Sequence, residues 1–361
     1  MTDLLAALSA LTGPPGPAGR ETMAVRGAAA LLAPLVDSVE TDRLGNLIGR
    51  KRFGRPGAPL LLLDAHLDEV GFVVTGRTQG FLHFRTVGGI DPRVLPNQAV
   101  RLLGDPPGPG LITCSPPHLQ SADDVRTTPA QDLFIDTGLA EAEAARRFPA
   151  GTFGVFEADC FSLGGGQCVG RALDDRAGFA VLLRALALLG DAPCAADLAV
   201  CGSVQEEAGF QGARAAAFGL RPDVCIAVDV THAHTPDAPH TRTFAPGGGP
   251  CIGAGPNCDR RLTAALTALA RAREIPFQIE AMEGSSGTNG WVLQIAGAGA
   301  ATAVLSIPLK YMHTPVETLR LDDLENTARL LSAFLSSPEL TDCLPAGAGP
   351  RVKPIERAGQ A

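Results

Sequence analysis

The stretch "LLLLDAHLDEVG", Leu60 to Gly71, most constrains what this chain can fold into. Leu60 to Leu63 is an unbroken apolar run introduced by a turn signal. Such a run fits a strand buried on both faces, as in a parallel sheet layered under helices. It ends in His66 and Asp68, two side chains that do not belong in an apolar interior. A second strand-like run, "DLAVCGSV", ends the same way, in Glu206 and Glu207. Carboxylates are costly to bury unless they are paired or bind a metal.

The run is one of a series. Thr2 to Leu11 and "ETMAVRGAAALLAPLVDSV" read as helices, and "NLIGRKR" reads as a strand. After Gly170 comes the alternation "LDDRAGFAVLLRALALLG" (helix), "DLAVCGSV" (strand), "EAGFQGARAAAFGL" (helix) and "DVCIAVDV" (strand). It continues through "DRRLTAALTALARARE" (helix), "PFQIEAM" and "ATAVLSIPL" (strands), and "RLDDLENTARLLSAFLSS" (helix). This implies an α/β fold with a mixed, mostly parallel sheet flanked by helices. Between about Gly71 and Gly166 the texture changes to short β-like runs divided by Gly and Pro, with "GDPPGPG" as a loop and "LAEAEAARRF" as a short helix. The expected division is therefore residues 1–70 and 167–337 for the α/β domain, and 71–166 for a β-rich insert. Residues 338–361, rich in Pro, Ala and Gly, are expected to be a disordered tail.

In an open α/β sheet, ligands sit outside the carboxyl ends of the strands. At those ends the sequence places His66 and Asp68, Glu206 and Glu207, Asp229, and His313, with Asp174 and Asp175 opening a helix. Two histidines and several carboxylates suit zinc, cobalt or manganese. Two divalent ions side by side need a bridging ligand, and a carboxylate with two oxygens supplies one. Asp174 suits that role, leaving one His and one acid for each ion. Of two adjacent glutamates, one can bind a metal while the other stays free to take a proton.

Other features are weaker. His232 and His234 form an H-x-H pair, for which a loop role beside the cleft is preferred to a metal site. Lys310 and Arg176 adjoin ligands, and either meet a substrate carboxylate or pair with nearby acids. The glycines of "APGGGPCIGAGPN" lack a following G-K-[ST], so they read as tight turns rather than a phosphate cradle. The net charge is -8, without basic runs, which excludes nucleic-acid and anionic-membrane partners. No apolar run is long enough to span a membrane, and the N-terminus lacks a basic signal-peptide region. Nine cysteines without C-x-x-C spacing read as buried free thiols in a reducing compartment, so a cytoplasmic location is expected. One Trp and one Tyr in the whole chain argue against a sugar-stacking cleft.

The ordered motifs "DAHLDEVGF", "IDPRVLP", "PPHL", "DLFID", "ALDDRAG", "VQEEAGFQGA", "VDVTHA", "GGGPCIGAGPN", "GTNGW" and "SIPLKYMHTPVE" resemble the M42 family of metallo-aminopeptidases, the glutamyl and tetrahedral aminopeptidase relatives. The resemblance covers nearly the whole chain. It implies a zinc-peptidase-like α/β domain with an inserted small β-barrel, and two divalent ions per subunit, zinc first. His66 and Asp229 would bind one ion, Glu207 and His313 the other, and Asp174 both. Glu206 would be the general base for hydrolysis of the N-terminal bond of short peptides. Asp68 would hydrogen-bond His66 and fix its tautomer. A dimer or dodecamer is implied. The same ions could instead serve a deacylase, or a non-catalytic metal-binding relative. One departure stands out: Asn289 follows Thr288 where the family pattern has Asp.

Overall fold

The computed structural model describes residues 1–14, 22–54, 57–114, 116, 118 and 128–344 of the chain. It opens with helices α1 (Thr2–Ser9) and α2 (Thr22–Leu32), then strands β1 (Ser38–Thr41), β2 (Leu47–Lys51) and β3 (Leu60–His66). Next come β4 (Gly71–Thr78), β5 (Phe81–Val87), β6 (Ala99–Leu102), β7 (Gly108–Thr113), β8 (Phe134–Asp136), helix α3 (Glu141–Arg147) and β9 (Phe153–Phe156). The second half holds β10 (Phe161–Leu163), β11 (Gln167–Gly170), α4 (Leu173–Leu189), β12 (Asp197–Ser203), α5 (Gln211–Leu220), β13 (Val224–His232) and β14 (Cys251–Ala254). It closes with α6 (Arg260–Ala272), β15 (Gln278–Ala281), α7 (Gly290–Leu293), β16 (Ala301–Lys310), β17 (Glu317–Arg320), α8 (Leu321–Leu335) and α9 (Pro338–Cys343).

Eleven strands form one mixed sheet in the order β1-β2-β12-β3-β13-β16-β17-β11-β10, with β14 joined to β16 and β15. Its centre is parallel: β12, β3, β13 and β16 all point one way. β3 has a strand on either side and helices over both faces. Leu61 and Leu63 share a core with Ala177 and Leu182 of α4, while Leu62 packs with Ala213 and Ala217 of α5 and Val292 of α7. Burial on both faces is why the run is apolar without alternation. Parallel strands also bring their carboxyl ends to one rim. Ser203 stands opposite His66. Ala227 stands opposite Asp64, so Asp229, two residues on, reaches the level of His66.

The insert is a closed barrel, β4-β5-β8-β7-β6-β9. Phe72 meets Phe84 and Phe156 edge-on, with ring centroids 5.5 and 5.1 Å apart, inside an apolar core. Closure leaves no exposed strand edge. The barrel ends at Phe156, and β10 already pairs with β11 in the main sheet, before the expected boundary at 166. Strand β10 is exposed throughout and carries no pattern that says which sheet it joins.

Three other local expectations are corrected. The second helix stops at Leu32, then a tight turn holds Pro34, and Ser38 opens a strand. Proline lacks the N–H that helix continuation needs. The expected loop at 104–110 is in part strand, since β7 starts at Gly108 and pairs with β6 and β8. Pro338 begins helix α9, which buries Leu340 and Cys343, so the tail cannot start there. Residues 345–361 and most of "PPHL" lie outside the described residues. No helix among the described residues is long and apolar enough to cross a membrane.

Candidate metal centre

The predicted ligands arrive at the rim from separate elements. His66 ends β3, Asp229 lies near the end of β13, Glu206 and Glu207 follow β12, and His313 follows β16. Asp174 sits in the irregular opening turn of α4, where Asp174 and Asp175 are non-helical and joined by a cis peptide. Several supporting residues adopt left-handed backbone that side chains rarely take: Ala172 (φ 54°), Gln205 (φ 59°), Tyr311 (φ 59°) and His313 itself (φ 63°). Such strain persists only where surroundings hold it, and it gathers at functional sites. Gly212 lets α5 close onto the end of β12, since a Cβ there would stand 2.0 Å from the Val204 carbonyl oxygen.

The side chains converge on Asp174. Its Oδ1 lies 3.1 Å from His66 Nε2, and its Oδ2 lies 3.2 Å from His313 Nε2. Glu207 Oε1 is 3.1 Å from His313 Nε2. Glu206 Oε2 stands 4.0 Å from His66 Nε2. Donor atoms of Asp174, Glu207 and His313 form one compact group, those of His66, Asp175 and Asp229 a second, and those of His66, Glu206 and Glu207 a third. All the predicted site residues are thus brought together.

Their supports differ from expectation at Asp68. The His66 Nδ1 partner is the Asp68 main-chain carbonyl at 3.1 Å, while the carboxylate is 3.6 Å away. The Asp68 carboxylate instead accepts from the N–H groups of Glu206 (3.0 Å) and Glu207 (3.2 Å). His313 Nδ1 meets the Gly89 carbonyl at 2.9 Å, from the turn that follows β5. Asp175 accepts from Gly178 N–H, as a helix cap does, and its other oxygen takes the main-chain N–H of His66. Glu317, the last residue of "SIPLKYMHTPVE", accepts from the His313 and Asp174 N–H groups. Nothing in spacing alone marks Gly89 or Glu317 as a support.

The M42 glutamyl aminopeptidase family matches this sequence over residues 45–330. The chain belongs to that family. A lysyl aminopeptidase from Pyrococcus furiosus is 33% identical, the match covering 92% of this chain and 96% of the relative. An aminopeptidase from the archaeon Desulfurococcus kamchatkensis shares the fold with a TM-score of 0.87 and 28% identity, covering 96% and 98% of the two chains. The TET1 peptidase of Pyrococcus horikoshii, described as assembling into a tetrahedron or a large octahedral shell, is 32% identical with a TM-score of 0.80, covering 92% and 99%. This M42 chain is therefore a hydrolase of the aminopeptidase class.

The cluster is electrostatically extreme. Burial, reinforced by Asp229, Glu207 and Asp174 and opposed by His66, pushes Glu206 up to about 9. Burial raises Glu207 and Asp229 as well. Asp174 is the exception. Burial would raise it, yet its hydrogen bonds from His313 and His66 hold it well below the usual carboxylate range. His313 is lowered by burial but raised more by Asp174 and Glu207, up to about 11. Strong shifts in opposite directions at one cleft make it a functional-site candidate.

The remaining candidates resolve plainly. Arg176 is fully buried and donates to the carbonyls of Leu67, Leu8 and Leu11, so it is no substrate contact. It and Arg171 pair with Glu69. Lys310 donates to Gln167 Oε1 at 2.8 Å. His234 bonds Thr243 and stacks near His240, while His232 is exposed. All nine cysteines are free thiols, and seven are buried. Asn289 is buried, and its amide donates to Asp64 Oδ2 (2.7 Å) and Ser203 Oγ (2.8 Å). The acid missing at 289 therefore has a counterpart at Asp64, directly across a hydrogen bond.

Proposed function

We propose that this chain is a two-cation aminopeptidase that releases the first residue of short peptides, with Glu206 as general base. The observation that carries the reading is the divided Asp174 carboxylate, one oxygen toward each histidine at 3.1 and 3.2 Å. The donor set fits divalent cations such as zinc, with cobalt or manganese as alternatives. His66 and Asp229 would hold one, Glu207 and His313 the other, and Asp174 both. Asp175, which accepts the main-chain N–H groups of His66 and Gly178, is assigned as a support of His66 rather than as a ligand. When bound, the cations supply Lewis acidity toward a water and the scissile carbonyl.

The chain's own residues do the proton work. Glu206, gripped at its N–H by Asp68, has a carboxylate oxygen 4.0 Å from His66 Nε2 and is left free in the ligand assignment above. It accepts the proton of the attacking water and returns it to the leaving amine. Its high affinity for a proton suits a base that must later act as an acid. Asp68 and Asp175 hold the main chain behind the reacting groups. A homo-oligomer, dimer or dodecamer, is part of the proposal, supported by the assembly described for the Pyrococcus horikoshii relative.

The test is hydrolysis of short peptides, each with a free and an acetylated N-terminus and with lysine among the first residues. Metal is first stripped, then zinc, cobalt or manganese is added back. Cation-dependent release from free peptides alone is the expected result. Cleavage of the acetylated set would move the activity to deacylation. Metal binding without turnover would leave a non-catalytic relative. Native mass measurement reads the assembly in the same samples.

A further inference from the structure

Three buried carboxylates behind the cluster use one device, each oxygen taking a main-chain N–H: Asp68, Glu317, and Asp175, which takes those of His66 and Gly178. Asp68 takes the N–H groups of Glu206 and Glu207, one on each oxygen. Glu317 takes the N–H of His313 on Oε1 (2.8 Å) and that of Asp174 on Oε2 (3.1 Å). Asp68 joins neighbours in sequence. Glu317 joins two residues from distant parts of the chain, each predicted to touch the same ion.

We propose that Glu317 is a positioning residue of the metal centre, one that fixes the spacing between the bridging carboxylate and His313. The inference rests on the two-cation reading above. Glu317 opens β17, which pairs with β11 on one side and β16 on the other. β11 runs into Ala172 and Asp174, and β16 runs into His313. Glu317 thus stands where the two ligand-bearing segments converge, 2% exposed. Neither N–H has a ladder to join. His313 is left-handed and Asp174 is non-helical. Buried main-chain donors must find acceptors, and the Glu317 carboxylate supplies one oxygen to each. Glutamine has nearly the same shape but only one such oxygen. Its amide nitrogen would face an N–H, so one of the two segments must let go.

The experiment titrates zinc into stripped wild type, E317Q and E325Q, by calorimetry and by competition with a chelator. Glu325 pairs with Arg184 on the surface and serves as control. Wild type and E325Q should match. E317Q should keep wild-type circular dichroism and lose about 10–100-fold in affinity for one of the two ions, the usual effect of losing an outer partner of a metal ligand. A folded E317Q that binds both ions as wild type does would overturn the proposal. Should E317Q fail to fold, amide hydrogen exchange on the stripped wild type decides. Slow exchange at both Asp174 and His313 supports the double grip, and fast exchange at both refutes it. Failure of the peptidase reading looks different: wild type would bind two ions and cleave nothing, while E317Q would still bind one of them weakly.

Discussion

The barrel and the rim of the sheet solve opposite problems with the same chain. Between Gly71 and Phe156, Thr152 is the one buried polar side chain among the described residues. The rim buries Asp64, His66, Asp68, Glu69, Asp174, Asp175, Arg176, Glu206, Asp229 and Glu317. An apolar core is held by transfer from water and needs no partner. A buried carboxylate is stable only with hydrogen bonds or opposite charge. The barrel is therefore built to hold its shape, while the rim gathers the side chains proposed to hold cations, with the barrel lending it the Gly89 carbonyl.

Substitutions should separate the two regions. The largest effect is expected for Glu206→Gln, a loss of about 10²–10⁴-fold in kcat with zinc content unchanged. Turnover near wild type would remove Glu206 from the chemistry. In the barrel, Phe72→Ala deletes a fully buried ring that touches two others. It should lose about 3–5 kcal/mol of stability in thermal or urea unfolding. Turnover per folded molecule should persist. Parallel losses of stability and turnover would instead show that the barrel shapes the centre beyond Gly89.

Much of this contrast is legible in the sequence because it rests on local pattern. β3 reads as a doubly buried strand since both faces of Leu60 to Leu63 are covered. The candidate ligands read as a set since parallel strands end together. What escapes is what depends on main-chain contacts between distant segments. Glu317 gripping Asp174, Gly89 facing His313, and Asp68 using its carboxylate on Glu206 and Glu207 leave no spacing rule behind. Boundaries set by weak signals were misplaced for a similar reason. The exposed strand β10 looks the same whether it belongs to barrel or sheet, and α9 is fixed by burial of Leu340 and Cys343 rather than by its own pattern.

Asn289 tests how finely the rim is matched. Burial raises Asp64 to about 6, even with the Asn289 amide lowering it. Asn289→Asp would set two carboxylates 2.7 Å apart in a buried site. One must then hold a proton at neutral pH, at a loss of about 2–3 kcal/mol. The double variant Asp64→Asn with Asn289→Asp restores one acid and one amide, and should recover most of that loss in unfolding experiments. Additive losses in the double variant would mean that the two side chains are independent and that their hydrogen bond contributes little.

The smallest expected effect lies in the pH dependence of the stripped protein. Glu206 is raised from 4.5 to about 9, so the folded chain keeps a proton that the unfolded chain releases. The stability from that proton is complete below 4.5 and is lost as pH rises toward about 9. His313, raised from 6.5 to about 11, behaves alike: its contribution is full below 6.5 and fades above it. Asp174 is lowered and acts oppositely, but only at acid pH, below its ordinary 3.8. Stripped protein should therefore melt a few degrees lower near pH 9 than near pH 6. Cations compete with protons for the same atoms, so metal binding strengthens as pH rises. The gap between zinc-loaded and stripped melting temperatures should widen over that interval. A gap that stays constant would mean that protons do not stand in for cations at this rim, and that its buried acids are held by the surrounding N–H groups alone.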